Sequence, residues 1–245
     1  MVGMKFRVPS VLIASFMALM FCGCEQSHED KVFIADLKAK AEFGDAESQF
    51  WLGDCYLTGY RVPLNFEEAK KWLRLAAYQG DPYHQYALAK AYDGRPMSLE
   101  DYKESIDMAF KSADQGFAPA EHWCGLSYRL GEDWEGKVLV PVDDVKAFAM
   151  FVKSAQKGYW NGMVEVAECY EFGWGIAKSM PDAFAWYHLA LLRTKSDLQK
   201  EDILRKIELL EQSMTKNEIT ESKEIGKKIM VEFGGEFKEW KTFDD

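Results

Sequence analysis

The sequence of 245 residues is poor in the residue types from which catalytic and metal centres are built. It has four histidines, no two of them at metal-ligand spacing on one helix, and no C-x-x-C pair after residue 24. No G-x-S-x-G element is present, and Gly173 and Gly175 lack the third glycine of a dinucleotide loop. The sequence therefore predicts no enzyme and no metal, cofactor or small-molecule site.

Basic stretches are missing as well. The chain has 30 lysines and arginines against 40 aspartates and glutamates, a net charge of −10. Binding to a nucleic-acid backbone rests on Lys and Arg side chains that neutralise phosphates, so a nucleic-acid partner is not expected. Apolar residues are not scarce, since 48% of the chain is hydrophobic and 14% is aromatic. This composition excludes general disorder.

The N-terminal apolar run is short. It extends from Val11 to Cys22, about a dozen residues, whereas a membrane-spanning helix needs about 20. With Lys5 and Arg7 before it and small residues after it, residues 1–23 are typical of a secretory signal peptide. The segment 21–24, Phe-Cys-Gly-Cys, resembles a bacterial lipobox, although phenylalanine replaces the usual leucine, and implies lipidation of Cys24. A signal peptide that is cleaved without lipidation is the alternative.

If Cys24 is lipidated, the protein is expected to be exported and anchored to a bacterial membrane by acyl chains, each buried methylene contributing about 0.8 kcal/mol. It would face the periplasm. Glu25 rather than aspartate after the cysteine favours the outer over the inner membrane, by resemblance to lipoproteins.

A pattern of four copies organises residues 44–193. Each copy begins with a glycine, at spacings of 36, 36 and 42 residues, followed after nine positions by a small residue and after twelve by a tyrosine. A small residue and a bulky one three positions later mark the second half. Such fixed-period similarity is the signature of a repeat array. The recurring residues are Gly44, Gly80, Gly116 and Gly158; Gly53, Ala89, Gly125 and Ala167; Tyr56, Tyr92, Tyr128 and Tyr170; and the pairs Ala69 with Trp72, Ser105 with Met108, Ala147 with Met150 and Ala183 with Trp186.

The first copy contains an LG-x-x-Y core, a G-x-x-V turn and an A-x-x-W-x-x-x-A-A run, which together resemble the Sel-one-like repeat (SLR), a relative of the tetratricopeptide repeat. The fourth copy keeps the turn and the run, whereas the second and third depart from the pattern at the turn. The resemblance implies an antiparallel helix pair in each copy, stacked into a right-handed α-solenoid that serves protein recognition rather than catalysis. The residues that carry it are Leu52, Gly53, Tyr56, Gly59, Val62 and 69–77 in the first copy, and Gly173, Ile176, Ala183, Trp186 and Ala190 in the fourth.

The sequence thus predicts an all-α protein with no strand between the first and last copies. A terminal unit with a polar outer face is needed at each end of such an array. Candidate capping residues for helix starts are Asn65 with Glu68, Ser98 with Asp101, Asp143, and Thr215 with Glu218. The predicted segments are a signal peptide (1–23), a polar tether (24–31), a capping helix with Val32, Leu37 and Ala41 inward (32–43), four repeats (44–79, 80–115, 116–157 and 158–193), C-terminal capping helices (194–237) and a tail (238–245).

One face of the first helix of each repeat is available for binding. Positions three, six, ten and thirteen after each glycine lie opposite the packing positions eight and twelve. By resemblance to tetratricopeptide arrays, these residues face a concave groove. The aromatic members either anchor a partner or only pack between neighbouring first helices, whereas the charged members are expected to be exposed, since unpaired charges are rarely buried. The candidate partner-binding residues on this face are Phe50, Asp54, Tyr83, Tyr86, Lys90, His122, Arg129 and Glu168.

The third repeat carries an insertion, Glu132 to Asp144, that the repeat does not require. It places Trp134 and an apolar run, 138–142, on a segment that would normally be polar. The insertion either folds back on the array or docks a partner, and both readings are open at this point. Trp134 is therefore a further candidate partner-binding residue.

Cysteine positions in the repeats predict no disulfide. Cys55 and Cys169 occupy the same position three repeats apart, which at roughly 10 Å per helix layer separates them by about 30 Å, whereas a disulfide needs Cα atoms within about 7 Å. Cys124 occupies a different position. We expect three free, buried thiols.

Two functions are consistent with this sequence. The first is a membrane-tethered scaffold or adaptor that organises proteins of the cell envelope through its groove. The second is an immunity or inhibitor lipoprotein that neutralises a secreted toxic enzyme such as a phospholipase effector, because some lipoproteins of the family that this chain resembles do so. In that case the acidic groove would meet a basic partner protein.

Overall fold

The computed structural model describes residues 27–92 and 98–233. Cys24, the expected signal peptide, the turn of the second repeat and the tail 238–245 lie outside these residues. The helices are α1 (His28–Glu42), α2 (Ala46–Thr58), α3 (Phe66–Ala77), α4 (Pro82–Ala91), α5 (Leu99–Asp114), α6 (Ala118–Leu130), α7 (Asp144–Gln156), α8 (Trp160–Phe172), α9 (Met180–Arg193), α10 (Asp197–Ser213) and α11 (Lys216–Glu232). Two short strands, β1 (Glu132–Trp134) and β2 (Lys137–Val140), lie between α6 and α7. The chain divides into two compact units, Met1–Leu75 and Ala76–Asp245, which we call unit 1 and unit 2.

The first helix of unit 1 begins earlier than the sequence predicted. The side chain of Ser27 accepts a hydrogen bond from the backbone N–H of Asp30 at 3.1 Å, and this N-cap starts α1 at His28. The prediction of a tether through residue 31 is therefore wrong for residues 28–31. The predicted inward position of Val32 is also wrong, because this side chain is 55% exposed. Leu37 and Ala41 do face the core of unit 1, together with Leu52 and Trp72.

The second and third helices of unit 1 approach closely at Gly53, the small residue that recurs nine positions after each repeat glycine. A Cβ atom built on Gly53 would lie 2.7 Å from Cγ of Leu73 on α3. Gly59 ends α2 in the left-handed conformation, at φ 76°, which favours glycine. The side chain of Asn65 then accepts from the N–H of Glu68 at 3.2 Å, which confirms Asn65 as a capping residue.

Three helix pairs form the repeats of unit 2. Helix α4 packs on α5, α6 on α7 and α8 on α9, and α5 and α7 also pack on the first helix of the following pair. Helix α9 packs in turn on both α10 and α11, which stand where the capping helices were predicted. The structure thus confirms a helical repeat fold, with its largest core in the last two repeats and the cap, around Phe151, Tyr187 and Ile207.

The repeat tyrosines hold the start of the second helix. The carbonyl oxygen of Tyr128 accepts from the N–H of Asp143 at 2.8 Å, and that of Tyr170 accepts from the N–H of Ser179 at 2.9 Å. Both donors are N-cap residues of the second helix of a repeat. Although the third repeat has an insertion between tyrosine and cap, the chain therefore returns to the same hydrogen bond.

The insertion contains the strands, so the prediction of no strand between the first and last repeats is wrong there. Strands β1 and β2 form an antiparallel hairpin whose turn has Glu135 and Gly136 at φ 50° and 82°, as a two-residue hairpin loop requires. Residues 132 and 133 pair with Val140 and Val138, so Leu139 is an extra residue, a β-bulge. The bulge puts Val140 on the buried side with Glu132, while Val138 is exposed.

Candidate partner-binding surfaces

The sequence placed candidate binding residues in both units, and we consider unit 1 first. Phe50 is only 5% exposed, and its ring centroid lies 5.1 Å from that of Trp51. The structure therefore places Phe50 in the core, so of the two alternatives left open for this ring it packs and does not present itself to a partner. Asp54 is half-buried rather than exposed, and burial raises the pKa of its carboxyl group.

The remaining first-helix candidates lie in unit 2. Helix α4 carries an exposed tyrosine and an exposed lysine, while the members on α6 and α8 are half-buried. We call this surface the first-helix face; it consists of Tyr83, Tyr86, Lys90, His122, Arg129 and Glu168.

The half-buried aromatic members pack against the start of the next first helix. The ring of Tyr86 lies 5.5 Å from that of Phe117, the N-cap residue of α6. The ring of His122 lies 5.6 Å from that of Tyr159, the N-cap residue of α8. Packing between neighbouring first helices, one of the two alternatives left open, is therefore what these side chains do.

The residue directly after each repeat glycine indicates this packing in the sequence. At the same position before α2 and α4 stand Asp45 and Asp81, whose carboxylates accept backbone N–H groups at 2.8 and 2.9 Å. Phe117 and Tyr159 make no such capping bond. The third and fourth repeats thus have, in place of a capping carboxylate, an aromatic ring that contacts the first helix of the preceding repeat.

A charge network crosses the first-helix face, contrary to the expectation of exposed, unpaired charges. Nη1 of Arg129 lies 2.7 Å from Oε2 of Glu165 and 3.4 Å from Oε2 of Glu168. Nζ of Lys206, on α10, lies 2.5 Å from Oε1 of Glu168. The arginine side chain is only 19% exposed, and its guanidinium carbon lies 3.6 Å from the ring centroid of Trp174. The prediction of exposure is therefore wrong for Arg129 and Glu168, which are paired and half-buried.

The network continues beneath the surface. The hydroxyl of Tyr187, on α9, donates to Oε2 of Glu171 at 2.7 Å. Burial, with the nearby carboxylates, raises the pKa of Tyr187 well above its usual range and keeps the phenol protonated as a donor. The network thereby joins α6, α8, α9 and α10. Its residues position the last repeats and the cap relative to one another, and leave little unpaired charge on this part of the face.

The inner side of the insertion folds back on the array, which is one of the two alternatives that the sequence left open. The ring of Trp134 lies 5.3 Å from that of Tyr102 on α5. The carboxylate of Glu132 accepts a hydrogen bond from the hydroxyl of Tyr102 and another, at 2.8 Å, from Ser127. Its outer side is different, because Val138 and Val142 are 64% and 63% exposed. The hairpin therefore has one packed side and one side that faces solvent.

The cysteines of the repeats are buried and unpaired, as expected. Burial raises the pKa of the Cys124 and Cys169 thiols to about 12, which disfavours the reactive thiolate. Within residues 27–92 and 98–233, no group of three or more His, Cys, Asp or Glu side chains is arranged to hold a metal ion. In the same part of the chain, no helix combines the length and the apolar character that crossing a bilayer requires.

Comparison with known sequences finds a family match over more than half of the chain. A profile described as Sel1 repeat matches residues 46–81, 83–117, 127–159 and 160–193. An uncharacterized protein of Neisseria meningitidis serogroup B is 31% identical over 137 residues, which amount to 54% of this chain and 26% of that protein. The chain thus spans about a quarter of the length of this curated relative.

Two solved structures are similar to this fold. A protective antigen of uropathogenic Escherichia coli, which displays an SLR fold, superposes with a TM-score of 0.69 over 85% of this chain and 45% of its own, at 22% identity. At that identity the likeness concerns the fold alone. A Sel1 repeat protein from Oxalobacter formigenes superposes with a TM-score of 0.50 over 68% of this chain and 47% of its own, at 31% identity. The chain spans less than half the length of either.

Proposed function

This chain belongs to the Sel1 repeat family. From that membership and from the N-terminal sequence we propose that it is a membrane-tethered scaffold that binds proteins of the bacterial cell envelope. Sel1 repeat proteins are generally protein–protein interaction scaffolds and typically not catalysts. The membrane tether, the envelope location and the binding surface are the parts of the proposal that are specific to this chain.

The observation that carries the proposal is the first-helix face of unit 2. Tyr83 is 49% exposed and Lys90 is also exposed, on the same helix α4. On the following two first helices, the pair of Arg129 and Glu168 joins α6 to α8. An exposed aromatic side chain on a rigid support has the character of a binding hot spot, because little side-chain entropy is lost on contact.

The paired charges also bear on the alternative function. An inhibitor of a basic toxic enzyme would use an acidic surface, and Glu168 was expected to contribute to one. In the structure its two oxygens contact Arg129 and Lys206, so its charge is already compensated. We therefore favour the scaffold.

The tether rests on the sequence. Residues 1–23 have the build of a secretory signal peptide, and Cys24 stands at the position that a lipobox would lipidate. A single acyl chain gives only marginal membrane binding, so more than one chain would be needed for a stable anchor.

Affinity capture from envelope membranes tests the binding surface. The full chain is compared with a variant that combines Tyr83→Ala and Lys90→Glu. The control combines Tyr78→Ala and Lys153→Glu, an exposed tyrosine and an exposed lysine that lie outside the first-helix face. We expect the first variant to recover its partners about tenfold less, the equivalent of about 1.4 kcal/mol, and the control to recover them as the parent does. Equal recovery by all three proteins, with equal melting temperatures, would refute the surface.

Labelling tests the tether separately. Cells that express the chain are fed an alkyne-bearing palmitate analogue, and the protein is followed through membrane fractionation. We expect label and membrane association in the parent and neither in Cys24→Ser. An unlabelled parent protein would remove the lipid anchor from the proposal while leaving the scaffold in place.

A further inference from the structure

A cleft beside the inserted hairpin has the features of a second binding surface, distinct from the first-helix face. It has a volume of about 550 Å³ and lies between β2, α5 and the start of α7. We infer that it binds an extended segment of a partner protein, one that carries an acidic residue next to β-branched apolar side chains.

The floor of the cleft is aromatic and apolar. Phe110 of α5 and Tyr128 of α6 meet edge to face, with ring centroids 5.4 Å apart. Ile106 lies one turn before Phe110, and Leu139 and Val140 of β2 form the opposite wall. Such a floor can bury the alternate side chains of an extended peptide, which point to one side at every second residue.

The wall that β2 forms also has a backbone edge. Among the described residues β2 pairs with β1 alone, so its other edge carries no strand. Val138 on this strand is exposed. The unpaired edge of a strand is a template for another strand, and addition of an extended peptide to such an edge is a recurring mode of recognition.

The charge at the mouth of the cleft selects an acidic segment. Lys103 and Lys146 both line the cleft. Lys146 pairs with Asp143 at 3.1 Å, whereas no carboxylate of the described residues pairs with Lys103. The one acidic side chain in the lining, Asp107, is held by Lys111 at 2.7 Å. The uncompensated charge at the mouth is therefore that of Lys103, and an incoming carboxylate would find its ammonium group unpaired in a chain of net charge −10.

The cleft is separate from the first-helix face. Its floor is built mainly from a second helix, α5, and from the insertion, whereas the first-helix face is built from α4, α6 and α8. Loss of binding at one surface therefore leaves the other intact, and a result against one proposal does not count against the other.

A peptide display library tests the inference directly. The full chain, purified in detergent, is panned against random peptides, and binders to the variant Lys103→Glu are removed. We expect the remaining sequences to carry aspartate or glutamate beside valine, isoleucine or threonine. The best synthetic peptide should bind the parent about tenfold more tightly than Lys103→Glu and should bind the control Lys153→Glu, an exposed lysine on α7, as it binds the parent.

Two measurements distinguish edge pairing from other contacts. Methylation of alternate backbone nitrogens in the peptide should abolish binding, and bound peptide should slow amide hydrogen exchange at residues 137–140. The inference is overturned if no acidic peptide is enriched, if the methylated peptide binds equally well, or if exchange at the hairpin does not change. Sedimentation that shows a dimer of this chain, disrupted by Lys103→Glu, would make a second copy the occupant and overturn the assignment to a partner protein.

Discussion

Gly125 of α6 lies directly against the ring of Phe151 on α7, so that a Cβ atom added to the glycine would be 2.4 Å from Cε1 of that ring. Real Cβ atoms do not approach another atom so closely. The same relationship holds between Gly53 and Leu73 in the first repeat, at 2.7 Å. In the first and third repeats, the small residue nine positions after the repeat glycine is therefore the point where the two helices of the pair meet.

This contact predicts the effect of Gly125→Ala. In an open helix interior the exchange would stabilise by about 1 kcal/mol, but here we expect a loss of about 1–3 kcal/mol through overpacking. Urea unfolding of both proteins measures the difference. In the background of Phe151→Leu the same exchange should cost less, because the ring edge that the new methyl group meets is gone. A more stable Gly125→Ala would show that the helices do not meet here.

We expect loss of the half-buried charge network around Arg129 to reduce stability more than loss of an exposed ion pair. Arg129→Ala leaves Glu165 and Glu168 half-buried without their guanidinium partner, and we expect a loss of about 1–3 kcal/mol, less than for a fully buried pair. Lys111→Ala, which breaks the exposed pair with Asp107, should cost about 0.5 kcal/mol or less. Unfolding free energies from urea titration decide the matter. Similar losses in the two variants would mean that the network contributes no more than a surface ion pair.

We expect substitutions on the packed side of the hairpin to reduce stability more than substitutions on its exposed side. Trp134→Ala removes the ring that packs on Tyr102, and we expect the unfolding free energy to fall by about 1–2 kcal/mol, a decrease in melting temperature of roughly 2–8 °C for a chain of this size. Val138→Ala, on the exposed side, should change it by about 0.5 kcal/mol or less. If both variants melt like the parent, the hairpin is not fastened to the array through Trp134.

His188 predicts a loss of stability in acid. Burial, with a smaller effect of Lys223, lowers the pKa of this histidine from 6.5 to about 4. As the pH falls below 6.5, His188 is therefore protonated in the unfolded chain, whereas in the folded chain it stays neutral until about pH 4. Protonation thus favours unfolding across this window, by about 2 kcal/mol at pH 5.

Unfolding free energies at pH 7 and pH 5 measure this contribution. In His188→Gln the decrease between the two values should be smaller than in the parent by about 2 kcal/mol. His28→Gln, at the exposed start of α1, serves as the control and should retain the decrease of the parent. An unchanged decrease in His188→Gln would assign the acid sensitivity to other groups.

Helix starts could be predicted from short stretches of sequence. Ser98 with Asp101 and Thr215 with Glu218 form the capping boxes that their spacing predicted. Ser27 starts α1 by the same rule, so the early start of this helix was also predictable from the local sequence. These features depend on atoms three residues apart, so the local sequence contains everything that decides them.

The partners of the charged groups could not be predicted in this way. Arg129 and Glu165 are 36 residues apart, and Lys206 and Glu168 are 38 residues apart. Whether a charge at one repeat position is exposed or paired depends on which residue the next helix brings opposite it. The periodicity defines the face of a helix, but not the distance between two side chains on neighbouring helices.

By itself, the sequence determined the repeats and the residues at which the helices of a pair meet, because a spacing of one repeat places the same residue type at the same contact each time. The tertiary structure alone decided that Phe50 is buried, that Arg129 and Glu168 are paired, and that the insertion folds back on Tyr102 as a hairpin. The physical reason is that burial and pairing are properties of side chains from distant segments, whose separation is fixed only when the helices have packed.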